Sequence, residues 1–239
     1  MERLSRALAS GLFVTLLTTA AAGAEVIVIG GGDSGAIEKG ALLPDGALVQ
    51  SGIDEGLTRI VLSPDGRRAA TAGEDGKVRI FDVATAKLAT LAIAAHNTAC
   101  HDVCFAVDGK TLFSCGADST AREWDLATGK EVRKFEGHEG ETRCVACSPD
   151  GQRLATTDKK GVRIWDLKTG KQLHLMSGHE VPKIPENMVA LATTTSLTID
   201  SLVFSPDGRT LISEANDETA RVWDTVRGKE LRTVPQHGR

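Results

Sequence analysis

The sequence predicts an all-β chain assembled from four copies of one four-stranded unit, with part of a further unit ahead of them. Three observations carry that prediction. A turn sequence, Ser-Pro-Asp-Gly or a close variant, recurs with its Asp at 65, 108, 150 and 207, giving spacings of 43, 42 and 57 residues. Each turn leads, after a short run of mixed polarity, to an aromatic-Asp pair: Phe81-Asp82, Trp124-Asp125, Trp165-Asp166 and Trp223-Asp224. Between these marks lie apolar-rich runs of strand length, punctuated by Gly, Asp and Asn. Self-similarity near forty residues signals a repeat architecture, in which one unit cannot bury its own faces and must stack on its neighbours.

In chain order, residues 1–24 read first as an export signal. Arg3 and Arg6 give a basic start, Ala7 to Ala21 is uncharged and mostly apolar, and Ala22-Gly23-Ala24 offers the small-x-small pattern of a cleavage site. The alternative is an uncleaved membrane anchor, since the apolar run nearly reaches the length of a short spanning helix. Cleavage would place the chain in a periplasm or outside the cell, and the signal together with the repeat style points to a bacterial source.

Residues 25–52 are expected to form a partial unit of closing strands that lacks its first strand, with Ala47 to Ser51 as its last. Within it, Val26 to Ile29 precedes Gly30-Gly31-Gly32-Asp33-Ser34-Gly35-Ala36, which matches the G-x-G-x-x-G/A spacing of a nucleotide-binding turn. That chemistry needs a helix after the glycines, and Gly40 and Pro44 interrupt the stretch where it would lie. A short strand with a glycine-rich loop fits the context better.

Residues 53–239 hold the four full units. Around Trp124, strands are expected over Asp102–Ala106, Lys110–Cys115, Thr120–Trp124 and Lys130–Glu136, with turns at Asp108-Gly109, Asp118-Ser119 and Ala127–Gly129. Four short antiparallel strands per unit make one propeller blade, so the chain reads as a small ring or an open arc. The longer third spacing places an inserted loop at 180–197, after Gly178-His179. That loop is either a binding excursion, a tolerated surface loop, or an apolar strand capping an open edge.

The run from Gly137-His138 through Ser148-Pro149-Asp150-Gly151 to Trp165-Asp166 closely resembles a WD40 repeat, and the resemblance extends over roughly residues 47–239. It implies a buried hydrogen-bonded tetrad in each blade: a His ahead of the first strand, a Ser or Thr in the second, an Asp in the next turn and the Trp of the third. His96, Ser114, Asp118 and Trp124 keep the full spacing of 18, 4 and 6. Partial sets are Thr71, Asp75 and Phe81, with Ile53 at the His position, and Ser213, Asp217 and Trp223, with Thr195 there. His138, Thr156 and Trp165 form a third partial set, in which Lys160 stands where the Asp belongs and Asp158 is the candidate substitute. With one complete tetrad, the blade of Trp124 is expected to be the most ordered, because a half-satisfied buried network stabilises little. The resemblance also implies a rigid platform for protein or peptide partners, with Glu74, Ala117 and Asn216 on one rim and Asn97 and Glu139 nearby as contact candidates.

Composition narrows the functional classes. Net charge is −4 and aromatic residues make up 4% of the chain, which offers neither a phosphate-seeking surface nor a stacking platform for nucleic acid. The five cysteines fall mostly on strands and read as small buried hydrophobes. His101, His174, His179 and His237 are scattered without ligand spacing, so neither a metal nor another cofactor is expected. The Ser and Asp residues of the repeated turns have turn roles rather than catalytic ones. The leading expectation is therefore a non-enzymatic protein-interaction scaffold. The alternatives are an incomplete propeller that self-associates or pairs with another chain, and a nucleotide- or flavin-binding enzyme using Gly30–Gly35.

Overall fold

In a computed structural model of the chain, side chains are described for residues 56–85, 88–89, 92–180 and 196–235, and the backbone alone for four strands between 13 and 49. Four antiparallel meanders follow one another. Blade 1 comprises Leu57–Leu62, Arg68–Gly73, Lys77–Asp82 and Ile93–Ala94. Blade 2 comprises Cys100–Phe105, Thr111–Gly116, Ala121–Asp125 and Glu131–Phe135. Blade 3 comprises Val145–Cys147, Arg153–Asp158, Gly161–Asp166 and Gln172–Met176. Blade 4 comprises Ile199–Phe204, Thr210–Ala215, Thr219–Asp224 and Lys229–Pro235. In each sheet the strands lie in space in the order in which they occur in the chain.

The N-terminal backbone forms a further meander of Phe13–Thr18, Glu25–Gly30, Ala41–Leu42 and Leu48–Val49. Its first strand falls within the segment read as an export signal and pairs with the second from Phe13↔Gly30 to Thr18↔Glu25. After Gly30, the glycine-rich loop lies outside the described residues, as do Ile53, Thr195 and residues 181–195 of the inserted loop.

The repeated turn explains why each first strand reverses so tightly. Ser63 Oγ accepts from Arg68 N at 2.9 Å and donates to Asp65 Oδ1 at 2.6 Å, while Asp65 accepts from Arg67 N at 3.1 Å. Ser148 with Asp150 and Ser205 with Asp207 repeat these bonds. The glycine that follows has φ of 68°, 64°, 67° and 68° at positions 66, 109, 151 and 208, the left-handed conformation that glycine adopts without a Cβ penalty. In blade 2 the Ser is replaced by Ala106, and only the bond from Lys110 N to Asp108 remains, at 2.8 Å. At the other repeated mark, in blades 1 to 3, the Asp after the aromatic residue accepts from a Thr three residues on: Asp82 from Thr85, Asp125 from Thr128, Asp166 from Thr169. Ser and Asp of both marks are thus committed to turns.

The core lies between blades rather than within them. Ala70, Ala72, Val78 and Ile80 of blade 1 pack on Val103, Phe105, Leu112 and Trp124 of blade 2. Phe113, Cys115, Ala121 and Phe135 then meet Val145, Leu154 and Trp165 of blade 3. Ala155, Val162, Ile164 and Met176 meet Ile199, Leu211 and Trp223 of blade 4. Each sheet is therefore apolar on both faces, and burial of large side chains in these junctions is the main stabilising term.

Polar bonds also fasten the first strands of successive blades. Thr58 Oγ1 donates to Cys100 O at 2.5 Å, Val145 N donates to Asp102 Oδ2 at 3.0 Å, and the Cys144 thiol lies 3.2 Å from Ile199 O. All five cysteines are free thiols, and burial raises the pKa of each. Gly76 closes the second turn of blade 1 with φ 73°, and a Cβ there would collide with the carbonyl oxygens of His96 and Thr98. Gly76→Ala is expected to cost at least about 2 kcal/mol, since strained φ and backbone overlap act together; urea denaturation followed by tryptophan fluorescence measures it.

Candidate functional site

Among the described residues, two complete tetrads are present. In blade 2, His96 Nε2 lies 2.8 Å from Ser114 Oγ, His96 Nδ1 lies 2.8 Å from Asp118 Oδ1, and Trp124 Nε1 donates to Ser114 Oγ at 2.9 Å. In blade 4 the histidine is His179, with Nε2 2.7 Å from Ser213 Oγ and Nδ1 2.9 Å from Asp217 Oδ2, while Trp223 Nε1 donates to Ser213 at 2.8 Å. This corrects the placement of Thr195 at the histidine position and the reading of His179 as unassigned. The histidine stands 34 residues ahead of its serine instead of 18, because the inserted loop falls between them. A fixed spacing cannot see across an insertion.

Burial holds His96 and His179 below the ordinary histidine range, against the pull of Asp118 and Asp217. For both aspartates burial pushes the carboxyl up, but hydrogen bonds outweigh it and leave each below its usual range. With a carboxylate on Nδ1, the neutral imidazole keeps its proton there and Nε2 accepts from the serine. Bonds then run in one direction: tryptophan to serine, serine to histidine, histidine to aspartate.

Blade 3 is wired differently. His138 Nε2 lies 2.8 Å from Thr156 Oγ1, and Trp165 Nε1 donates to the same oxygen at 2.8 Å. Asp158 does not complete the tetrad as a bonding partner of His138. It accepts from Glu139 N at 2.9 Å, Lys160 N at 2.8 Å and Arg163 Nε at 2.8 Å, and so closes the shortened turn. Burial lowers the His138 pKa to about 4. In blade 1, Asp75 pairs with Arg79 at 2.7 Å, and the buried Thr71 hydroxyl has no partner among the described residues.

An arginine two residues before the aromatic was missed by spacing from the tetrad alone. Arg79, Arg122 and Arg163 each reach back to the aspartate of the preceding turn, at 2.7, 2.9 and 2.8 Å. Their signal lay in the repeated spellings Val-Arg-Ile-Phe, Ala-Arg-Glu-Trp and Val-Arg-Ile-Trp.

The strand ends opposite the Ser-Pro-Asp-Gly turns carry the rim. Glu74 and Asn97 are exposed there. Glu139 is half-buried and pairs with Lys160. Ala117 is held by its backbone, its N–H donating to Ala99 O at 3.0 Å. Asn216 is committed within the chain: its Oδ1 accepts from Thr198 N at 3.0 Å and its Nδ2 donates to Ser196 O at 2.9 Å. Between blades 3 and 4, a cavity of about 310 Å³ opens on this rim, lined by Glu141, Arg143, Asp158, Lys159, Leu197 and Thr198 among others. His101 stands beside it, with Nε2 3.4 Å from Glu141, which also pairs with Arg143 at 3.3 Å.

A larger cavity, about 850 Å³, opens at the opposite end of blades 2 and 3 beside Asp108, Phe113, Glu123, Asp150 and Leu167. Glu123 occupies the position held by Ile80, Ile164 and Val222 in the other blades. Burial raises its pKa, and its Oε2 lacks a hydrogen bond, with Arg133 Nε at 3.7 Å. Glu123→Ile is expected to stabilise the chain by about 1 kcal/mol, since an under-satisfied buried carboxylate gives way to the side chain of the sister repeats; denaturant midpoints at neutral pH decide it.

Successive four-stranded meanders packed face to face, blades 2, 3 and 4 each pinned by a tryptophan-serine or tryptophan-threonine bond, define a β-propeller repeat protein. The chain belongs to the WD40 family: the model for the WD domain, G-beta repeat, matches residues 46–82, 87–125, 129–166 and 189–224. Among curated proteins it is similar to protein groucho of Drosophila melanogaster, 38% identical over 107 residues, 43% of this chain and 14% of groucho. It is likewise similar to nuclear distribution protein nudF of Aspergillus niger, 29% identical over 70% of this chain and 39% of that protein. With coronin-7 of Mus musculus it shares 33% identity over 52% of this chain and 14% of coronin-7. The chain thus spans well under half the length of each of these relatives.

Proposed function

We propose that this chain is a non-enzymatic scaffold that binds a protein or peptide on the rim bearing Glu74, Asn97 and Glu139, and that it is exported from a bacterial cell. One observation supports the binding reading above others. The Ser, Asp, His and Trp residues that repeat are committed to turns and tetrads, whereas mixed charge gathers around the rim cavity at Glu141, Arg143 and Lys159. Rigid blades presenting unlike loops at one end suit recognition of an extended segment with its own alternating charge.

Affinity capture with the full chain and with a Glu141→Lys, Arg143→Glu double variant tests it. A partner should bind the former and be lost from the latter, with circular dichroism unchanged. Turnover of substrates in a hydrolase and oxidoreductase screen, with no partner captured, overturns it. A yellow preparation, or a thermal shift with NAD or FAD, would instead favour the Gly30–Gly35 enzyme. Export is tested by fractionation and N-terminal sequencing: a periplasmic or secreted chain starting near Glu25 supports it, and a membrane-held chain retaining residues 1–24 favours the anchor.

A further inference from the structure

Three junctions are built to one plan, with the rear face of one blade against the front face of the next. Strand pairing identifies the equivalent rear positions in every blade. Ala70 and Ile80 correspond to Phe113 and Glu123, to Ala155 and Ile164, and to Ile212 and Val222. Ile93, Phe135, Met176 and Val234 are likewise equivalent. In the first three blades this face is closed: Ala70, Ala155 and Ile164 are 0% exposed, and Phe113, Phe135 and Met176 are 1% exposed. On blade 4 the same face is open, with Val203 57%, Ile212 46% and Val234 42% exposed.

The front face of blade 1 is its complement. Ile60, Leu62, Ala69 and Phe81 are half-buried, whereas their counterparts Val103, Phe105, Leu112 and Trp124 in blade 2 are buried. Among the described residues, blades 4 and 1 do not pack on each other as successive blades do. The run of blades 1–4 therefore carries the two halves of a fourth junction at its opposite ends.

We propose that a second copy of this chain completes that junction head to tail, the rear of blade 4 in one copy packing on the front of blade 1 in the other. Two such contacts are related by a two-fold axis and close the assembly. Leaving the N-terminal meander outside the ring, blades 1–4 of each copy make eight, the upper end of the usual range for propellers, whereas three copies would give twelve. The occupant is chosen by continuity: the docking surface has the strand register and apolar pattern of the three junctions already present. Glu214, the acid on the rear face, makes contacts of its own within the chain and sits at the position of the polar Thr157 in blade 3.

Light scattering on the full chain across a dilution series tests the pairing. The expected mass is twice that of one chain, falling toward one on dilution. Ile212→Lys (rear) and Leu62→Glu (front) should each be monomeric alone, and mixing them should restore a dimer through the one intact junction. Dimerisation of Leu62→Glu by itself would mean that two rear faces meet and would overturn the head-to-tail arrangement. If Leu62→Glu fails to fold, hydrogen exchange on the wild type replaces it: the amides of 60–62 and 203–212 should gain protection together as concentration rises. A full chain that stays monomeric at every concentration overturns the proposal. So does one in which these amides are protected without association, because its own N-terminal strands would then cover the face.

Discussion

Replacing Ser114 with Ala is expected to lower the free energy of unfolding by about 2–4 kcal/mol. The serine oxygen serves two buried partners, the Trp124 indole N–H at 2.9 Å and His96 Nε2 at 2.8 Å. Its removal leaves both without a bond, and each buried orphan costs about 1–3 kcal/mol. Blade 1 supplies the control. Thr71 occupies the same position in its sheet, but the aromatic residue of that blade is Phe81, which has no side-chain N–H to donate, and the buried Thr71 hydroxyl has no partner among the described residues. Thr71→Val should therefore be neutral or stabilising by up to about 1 kcal/mol, since it removes an orphan oxygen and keeps the shape. Equilibrium urea denaturation of the two variants compares them directly. Equal losses at both positions would mean that packing around the side chain, and not the bonded network, carries the stability.

The second large effect concerns pH. His138 titrates near 4 in the folded chain against an ordinary value of 6.5, because burial disfavours its charged form. A histidine whose folded pKa lies below its unfolded one binds protons more readily when unfolded. Its contribution to stability is whole above about pH 6.5 and is lost progressively as the pH falls toward 4, a change of about 3 kcal/mol. His96 and His179 are shifted in the same direction. Asp102 and Glu123, whose pKa values are raised by burial, act in the opposite sense, weakening the fold as pH rises through their range. His138→Gln can still bond Thr156 but cannot titrate, so the wild-type minus variant difference isolates the one imidazole. Denaturation at pH 7, 5.5 and 4.5 should show that difference shrinking with acidity; a difference independent of pH would place the low pKa elsewhere.

Much of the fold was legible in the sequence because turns and strand length are local properties. The four strands around Trp124 were expected at 102–106, 110–115, 120–124 and 130–136 and lie at 100–105, 111–116, 121–125 and 131–135. Asp-Gly and Asp-Ser fix those reversals by backbone conformation alone, whatever the rest of the chain does. The tetrads were less legible because their members are distant in sequence. Counting recovers His96 and fails for His179, where inserted residues change the count but not the three-dimensional address. Asp158 was read as a spare tetrad carboxylate, yet losing one residue from its turn swings it onto the backbone of Glu139 and the guanidinium of Arg163. The rim was least legible. Asn216 looked like a free contact, but it holds the chain at 196–198, and no periodicity marks Glu141 or Arg143.

The long separation between His179 and Ser213 has one more consequence. The imidazole that completes blade 4 leaves directly from the end of blade 3, upstream of the inserted loop, and Glu180 N also donates to Asp217 at 3.1 Å. A single peptide-bond cut anywhere in 181–195 would leave that histidine on one piece and its serine, aspartate and tryptophan on the other. The two pieces would still share the Ile164–Leu211–Trp223 core and the two bonds that His179 makes to Ser213 and Asp217. The loop is thus a natural breakpoint at which this chain can be divided into halves that recognise and rebuild one another.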